Sequence, residues 1–243
     1  MSNVTYKRAP IVEAVIEVRF SAEMKESAFI RLVKKFKQNY ENSKPADTFG
    51  FEVKLQGGEP RTDTTVIPGY HFSSQDQSKA LVLKKSTFTV SQLAPYEGWE
   101  AFISRFERDW CAFKKYSGIR DVDRIGVRYI NRLDIPNSEG LVYEEEYLNI
   151  YPTHPEALGP FVSYAVQSKV ELIDIGAILQ INSAVVPSPL AKHVSIVIDQ
   201  DIVKTQDFPS STEDTIEYLN QVREKKNFVF ESCITDKARE LFD

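Results

Sequence analysis

One stretch constrains this chain more than any other: Arg120 to Pro136, RDVDRIGVRYINRLDIP. Side chains alternate across a strand. Read that way, the stretch carries Arg120, Arg124, Arg128 and Arg132 on one face. Ile125, Val127, Tyr129 and Leu133 fall on the other. Four guanidiniums in file need carboxylates opposite them or an anionic partner, because the planar fork of arginine meets either bidentately. The segment Ile11–Phe20 alternates too, with Ala14, Ile16, Val18 and Phe20 on one face and Glu13, Val15, Glu17 and Arg19 on the other. If the two strands pair, Glu13 and Glu17 are expected opposite Arg128 and Arg132, at about 0.2–1 kcal/mol per pair. Arginines satisfied by carboxylates are the leading expectation. An open basic face that grips an anion is the rival.

The rest of the chain reads as alternating blocks. A helix is expected over about Ala22–Tyr40, from the apolar stripe Ala28, Phe29, Leu32, Val33 and Phe36. Strands follow at Phe49–Leu55, Thr64–Ser73 and Ala80–Leu93, the second interrupted at Pro68–Gly69. A strong helix covers about Gly98–Tyr116, with Trp99, Phe102, Phe106, Trp110 and Phe113 on one face. After the strand Asp123–Ile135 come a short helix at Tyr143–Ile150 and strands at Phe161–Ile173, Gly176–Val186 and His193–Lys204. A last helical region opens at Ser210 or Ser211, with Glu213 or Asp214 placed for a capping box. It carries Ile216, Leu219 and Val222, and a final turn or helix holds Phe228 and Phe230.

Strand–helix–three strands–helix thus occurs twice, over 1–118 and 119–243. Short connections predict antiparallel pairing. The expected fold is one α+β unit over 1–243, a large antiparallel sheet with helices on one face. A saddle of the TATA-binding-protein type and a helix-grip fold over a cavity both fit that order. In the second, Trp99, Phe102, Phe106 and Trp110 would wall an apolar cavity.

Composition removes several functions. The chain is 42% hydrophobic and carries a net charge of −5, which argues against a generic nucleic-acid coat while leaving room for a local basic strip. Its two cysteines, Cys111 and Cys233, lie in apolar helical patterns without zinc spacing and read as buried thiols. The three histidines, His71, His154 and His193, fall in no HExxH or comparable motif. Gly57–Gly58 has neither the lysine nor the spacing of a phosphate loop. Asp199 and Asp201 stand alone, without the glycine loop of a cation site. No cofactor, metal or catalytic residue is expected. No apolar run reaches the roughly 20 residues that span a bilayer, so the expectation is a cytoplasmic protein with no membrane partner.

The segments KRAPIVEAVIEVRF, DRIGVRYINRLDIP and FESCITDKARELFD resemble a sporadically distributed family of bacterial and archaeal proteins of this size. Its members open with a "PPIVEAV…F" strand and carry an "RIG-RYINR" strand in mid-chain. The family has no established activity, so the resemblance implies a full-length unit and an accessory role, and it adds no catalytic residue. The reading that follows is a non-catalytic binding or assembly protein, acting on a protein partner or on itself. A nucleic-acid or phosphate binder using Arg120–Arg132 comes second, and an apolar-ligand binder third.

Overall fold

A computed structural model describes residues 6–56, 59–137, 144–153, 155, 157 and 162–243, and for 48–67 the strand pairing alone. The fold is α+β. Eleven strands are described: β1 (Ile11–Phe20), β2 (Asn42–Pro45), β3 (Thr48–Gln56), β4 (Glu59–Ile67), β5 (Gly69–Ser73), β6 (Lys79–Lys84), β7 (Thr87–Leu93), β8 (Val122–Pro136), β9 (Ala165–Leu172), β10 (Ala177–Val186) and β11 (His193–Lys204). Five helices accompany them: α1 (Glu26–Phe36), α2 (Trp99–Ser117), α3 (Glu144–Tyr147), α4 (Thr212–Cys233) and α5 (Asp236–Arg239). Nine strands form an antiparallel sheet in the order β2-β5-β6-β7-β1-β8-β11-β10-β9, while β3 and β4 pair as a separate hairpin.

The chain divides into two compact units that share β1 and β8. Unit 1 comprises Met1–Val15, Leu93–Gly98 and Gly126–Asp243; unit 2 comprises Ile16–Gln92 and Trp99–Ile125.

In unit 2, aromatic rings fill the layer between sheet and helices. Trp110 of α2 stacks on Phe106 at 5.9 Å, on Phe113 at 5.6 Å and on Phe20 of β1 at 6.2 Å. Phe88 of β7 lies 4.9 Å from Phe113. Phe36 of α1 meets Phe72 of β5 edge-on at 5.7 Å. Offset and edge-on pairs of this kind add about 0.5–1.5 kcal/mol each beyond the area they bury. Arg105, buried on α2, ties the helix to the sheet by donating to the Ala80 and Ser91 carbonyls at 3.2 and 2.8 Å. The proposed cavity wall of Phe102, Phe106 and Trp110 is therefore packed core, with Trp99 edge-on to Phe102 at its start.

Unit 1 places α4 against β11. Ser211 caps α4: its Oγ accepts from the Asp214 N–H at 2.9 Å, and the Asp214 carboxylate accepts from the Ser211 N–H at 3.1 Å. A cap of this type is worth about 1 kcal/mol. Thr235 caps α5.

Several expectations need correction. The first half carries six strands between its helices, not three. The strand expected at 64–73 breaks at Pro68, which has no N–H to give a ladder. The strand expected at 80–93 folds back at Lys85–Ser86 into the β6–β7 hairpin. Asn42–Pro45, read as a helix stop, adds β2 to β5. Helix α4 continues to Cys233 without the expected break. Cys111 is exposed, because one residue turns a helix by about 100° and carries it off the Trp110 stripe. Phe161, where the strand expected over Phe161–Ile173 starts, the helix start at Tyr143 and His154 lie outside the described residues.

Candidate functional site

Residues of β8 alternate as their sequence demands. Ile125, Val127, Tyr129, Leu133 and Ile135 are buried, while Arg124, Arg128, Arg132 and Asp134 are at least partly open. Arg120 lies before the strand.

Each arginine meets its own set of acceptors. In unit 2, Arg124 donates to the Glu17 carboxylate at 2.7 Å. Arg120 donates to the carbonyls of Ala22 and Lys85 and lies 4.7 Å over the Phe20 ring. It lines an open pocket of about 580 Å³ with Arg31, Lys25, Lys115, Glu23 and Asp121. In unit 1, Arg128 forms a two-pronged pair with Asp199, Nε and Nη2 each at 2.8 Å. Asn182 adds a third bond to Asp199 at 3.1 Å. The hydrogen bond to Asp199 holds the Arg128 guanidinium above its ordinary value, against desolvation. Arg132 meets Asp134 two residues on, at 3.0 Å, and Asp134 also accepts from Ser195.

Glu17 thus pairs with Arg124, not with Arg132. Arg128 donates its hydrogen bonds to Asp199 of β11, while Glu13 acts on it through charge alone. These arrangements follow from strand order, since β8 has β11 on its other side. Sequence spacing does not reveal that neighbour.

The Arg128–Asp199 pair has unequal partners. The Arg128 side chain is 48% exposed and that of Asp199 is 11% exposed. Arg128→Ala leaves a largely buried carboxylate with one amide donor and is expected to cost about 1–3 kcal/mol. Asp199→Asn leaves a half-solvated guanidinium and is expected to cost about 0–1 kcal/mol. Urea unfolding of the two variants checks the order.

The helix-facing side of unit 1 holds polar groups that the sequence reading missed. Lys226, on α4, is 7% exposed and its ammonium stands 4.1 Å over the Tyr129 ring. The Tyr129 and Tyr96 hydroxyls are 3.2 Å apart. Burial drives the Tyr129 phenol well above its ordinary value and pulls the Lys226 ammonium down to about 7; Arg223 lowers Lys226 further and Glu231 opposes. Gln200 of β11 is fully buried, and among the described residues neither of its amide atoms has a hydrogen-bond partner. A signal was present for Lys226: it follows Leu219 by seven positions and Val222 by four, which sets it on the buried stripe. Gln200 also alternates in phase with Ile196, Ile198 and Ile202.

Among the described residues, no group of three or more His, Cys, Asp or Glu is arranged to hold a metal, and no helix is long and apolar enough to cross a membrane.

No family model matches the chain, and no curated protein matches it. Among solved structures, a distant likeness is to the crystal structure of DynU16, a protein of the dynemicin biosynthetic locus. It covers 85% of this chain and 92% of that chain at 12% identity, with a TM-score of 0.21.

Proposed function

We propose that the chain is a non-catalytic binding protein that pairs with a second copy of itself through β9. One observation carries this reading: β9 ends the sheet order, and most of its residues are exposed on both faces. An edge strand of this length offers a row of backbone donors and acceptors to another strand. Val170, Ile173 and Ile178, all exposed, add apolar surface beside it.

The β9 sequence is self-complementary. Antiparallel pairing centred on Val170 sets Val170 against its own copy. Lys169 then faces Glu171 of the second chain, twice by symmetry. In the same ladder Lys169 neighbours Gln180 and Glu171 neighbours Ile178, so both charges lie on one face of the sheet. Each cross-strand charge pair contributes about 0.2–1 kcal/mol.

Lys169→Glu or Glu171→Lys alone sets like charges opposite each other twice. Each is expected to weaken dimerisation by about tenfold or more; the double exchange restores it. Sedimentation equilibrium measures this directly. A wild-type chain that stays monomeric at all concentrations, or a double variant that stays as weak as the singles, contradicts the reading.

The strand order also supports a pseudo-two-fold saddle of the TATA-binding-protein type. β1 and β8, the first strands of the two halves, are neighbours, and outward from each the strands follow in falling order, β7-β6-β5-β2 on one side and β11-β10-β9 on the other. A phosphate-like ligand is the second reading, favoured by the basic excess around the Arg120 pocket. It ranks second because Arg124, Arg128 and Arg132 already have carboxylates.

A further inference from the structure

We propose that the layer between α4 and the β8 and β11 strands of unit 1 binds a small carboxylate with an apolar body, gripped by Lys226 and Gln200. Three placements bring these side chains together. Lys226 stands over Tyr129. The Arg128–Asp199 bonds place those residues on the opposite sheet face. Across the same two antiparallel strands the Asn137 N–H donates to the Lys192 carbonyl at 2.8 Å and Ser195 donates to Asp134, a register that sets Tyr129 opposite Gln200 on the face under α4. A second measure agrees. Lys204 lies 5.0 Å from the ring of Tyr218, which fixes β11 against α4 at that level. From there to Gln200 the strand climbs four residues, about 13 Å. From Tyr218 to Lys226 the helix runs eight residues, about 12 Å. Gln200 and Lys226 thus reach the same height.

The chemistry of the cluster is specific. Lys226 makes no hydrogen bond or ion pair among the described residues. The charges felt by it are Arg223 and Glu231, one of each sign. Among the described residues, neither atom of the Gln200 amide has a hydrogen-bond partner. Buried polar groups are nearly always satisfied, and an unpaired one is costly. A carboxylate serves two of these groups: it neutralises the ammonium and accepts a second hydrogen bond from the Gln200 N–H. The flanking side chains, Ile198, Ile202, Leu219 and Val222, are buried aliphatics and suit an alkyl or aryl body. The site is separate from β9 and stands or falls independently of dimerisation.

The test uses the intact chain and straight-chain monocarboxylates from acetate to octanoate, with the matching alcohols as controls. Carboxylates are expected to raise the melting temperature; alcohols are not. Titration calorimetry at pH 8.5 is expected to show proton uptake on binding, as the anion recharges Lys226 beside Arg223, Glu231 and the Tyr129–Tyr96 hydroxyls. Lys226→Met is expected to fold, to bind at least tenfold more weakly and to take up no proton. Gln200→Leu is expected to weaken binding several-fold while keeping the uptake. The proposal is overturned if no carboxylate shifts the melting temperature, if the alcohols match the acids, or if Lys226→Met binds with wild-type affinity. A crystal grown with octanoate that shows only water between Lys226 and Gln200 overturns it equally.

Discussion

Between about pH 7 and 10.5, the stability of the wild-type chain is expected to rise relative to that of Lys226→Met, by on the order of 4 kcal/mol across the window. Desolvation on α4 holds the Lys226 ammonium near 7, well below its ordinary 10.5. In the unfolded chain the same lysine keeps its proton to about 10.5. Over that interval the unfolded state binds more protons than the folded one, so stability climbs with pH. Below pH 7 both states are protonated and the difference is flat, with the folded state burdened by a buried charge. Lys226→Met, close in volume and uncharged, is therefore expected to be the more stable chain at pH 7. Urea unfolding of both chains from pH 6 to 10.5 measures the difference. Parallel profiles would mean that Lys226 is paired or hydrated when folded.

Loss of the Asp109 carboxylate is expected to destabilise unit 2 by about 3–5 kcal/mol. Asp109 is fully buried on α2. It accepts from the Tyr40 hydroxyl at 2.5 Å and from Arg108 through Nε and Nη2 at 2.9 and 3.0 Å. Asp109→Ala strips all three bonds and strands the buried Tyr40 hydroxyl, whose proton is held tightly by burial and by the Asp109 charge. Tyr40→Phe removes one bond only and is expected to cost about 1 kcal/mol, since Arg108 still donates to both oxygens of Asp109. Denaturant midpoints with an unchanged m-value check both figures. An Asp109→Ala chain as stable as wild type would mean that the carboxylate's desolvation offsets its bonds.

Where local alternation decides the outcome, the residues were sufficient. Ala14, Ile16, Val18 and Phe20 are buried as their period requires, and so are Ile125, Val127, Tyr129 and Leu133. The Ser211–Asp214 box opens α4 because both partners lie within one turn. Chain reversals were harder to see. Lys85–Ser86 carries no Gly or Pro, so 80–93 reads as one strand although it is a hairpin. Arginine partners were harder still. Glu17 reaches Arg124 only once register is set, and Asp199 reaches Arg128 from 71 residues away. The buried Lys226 was hidden by its type, since lysine on a helix is ordinarily taken as solvated. Its position on the Leu219–Val222 stripe is the clue that outranks its charge.

Hydrogen exchange of the β9 amides, measured at a low and a high protein concentration, bears most directly on the central proposal. Strand pairing between two chains predicts that amides of 165–172 on the outer edge exchange slowly at the high concentration and quickly at the low one. Amides of β10, bonded within the chain to β9 and β11, should change little. Equal, fast exchange of the β9 edge at both concentrations would contradict the account.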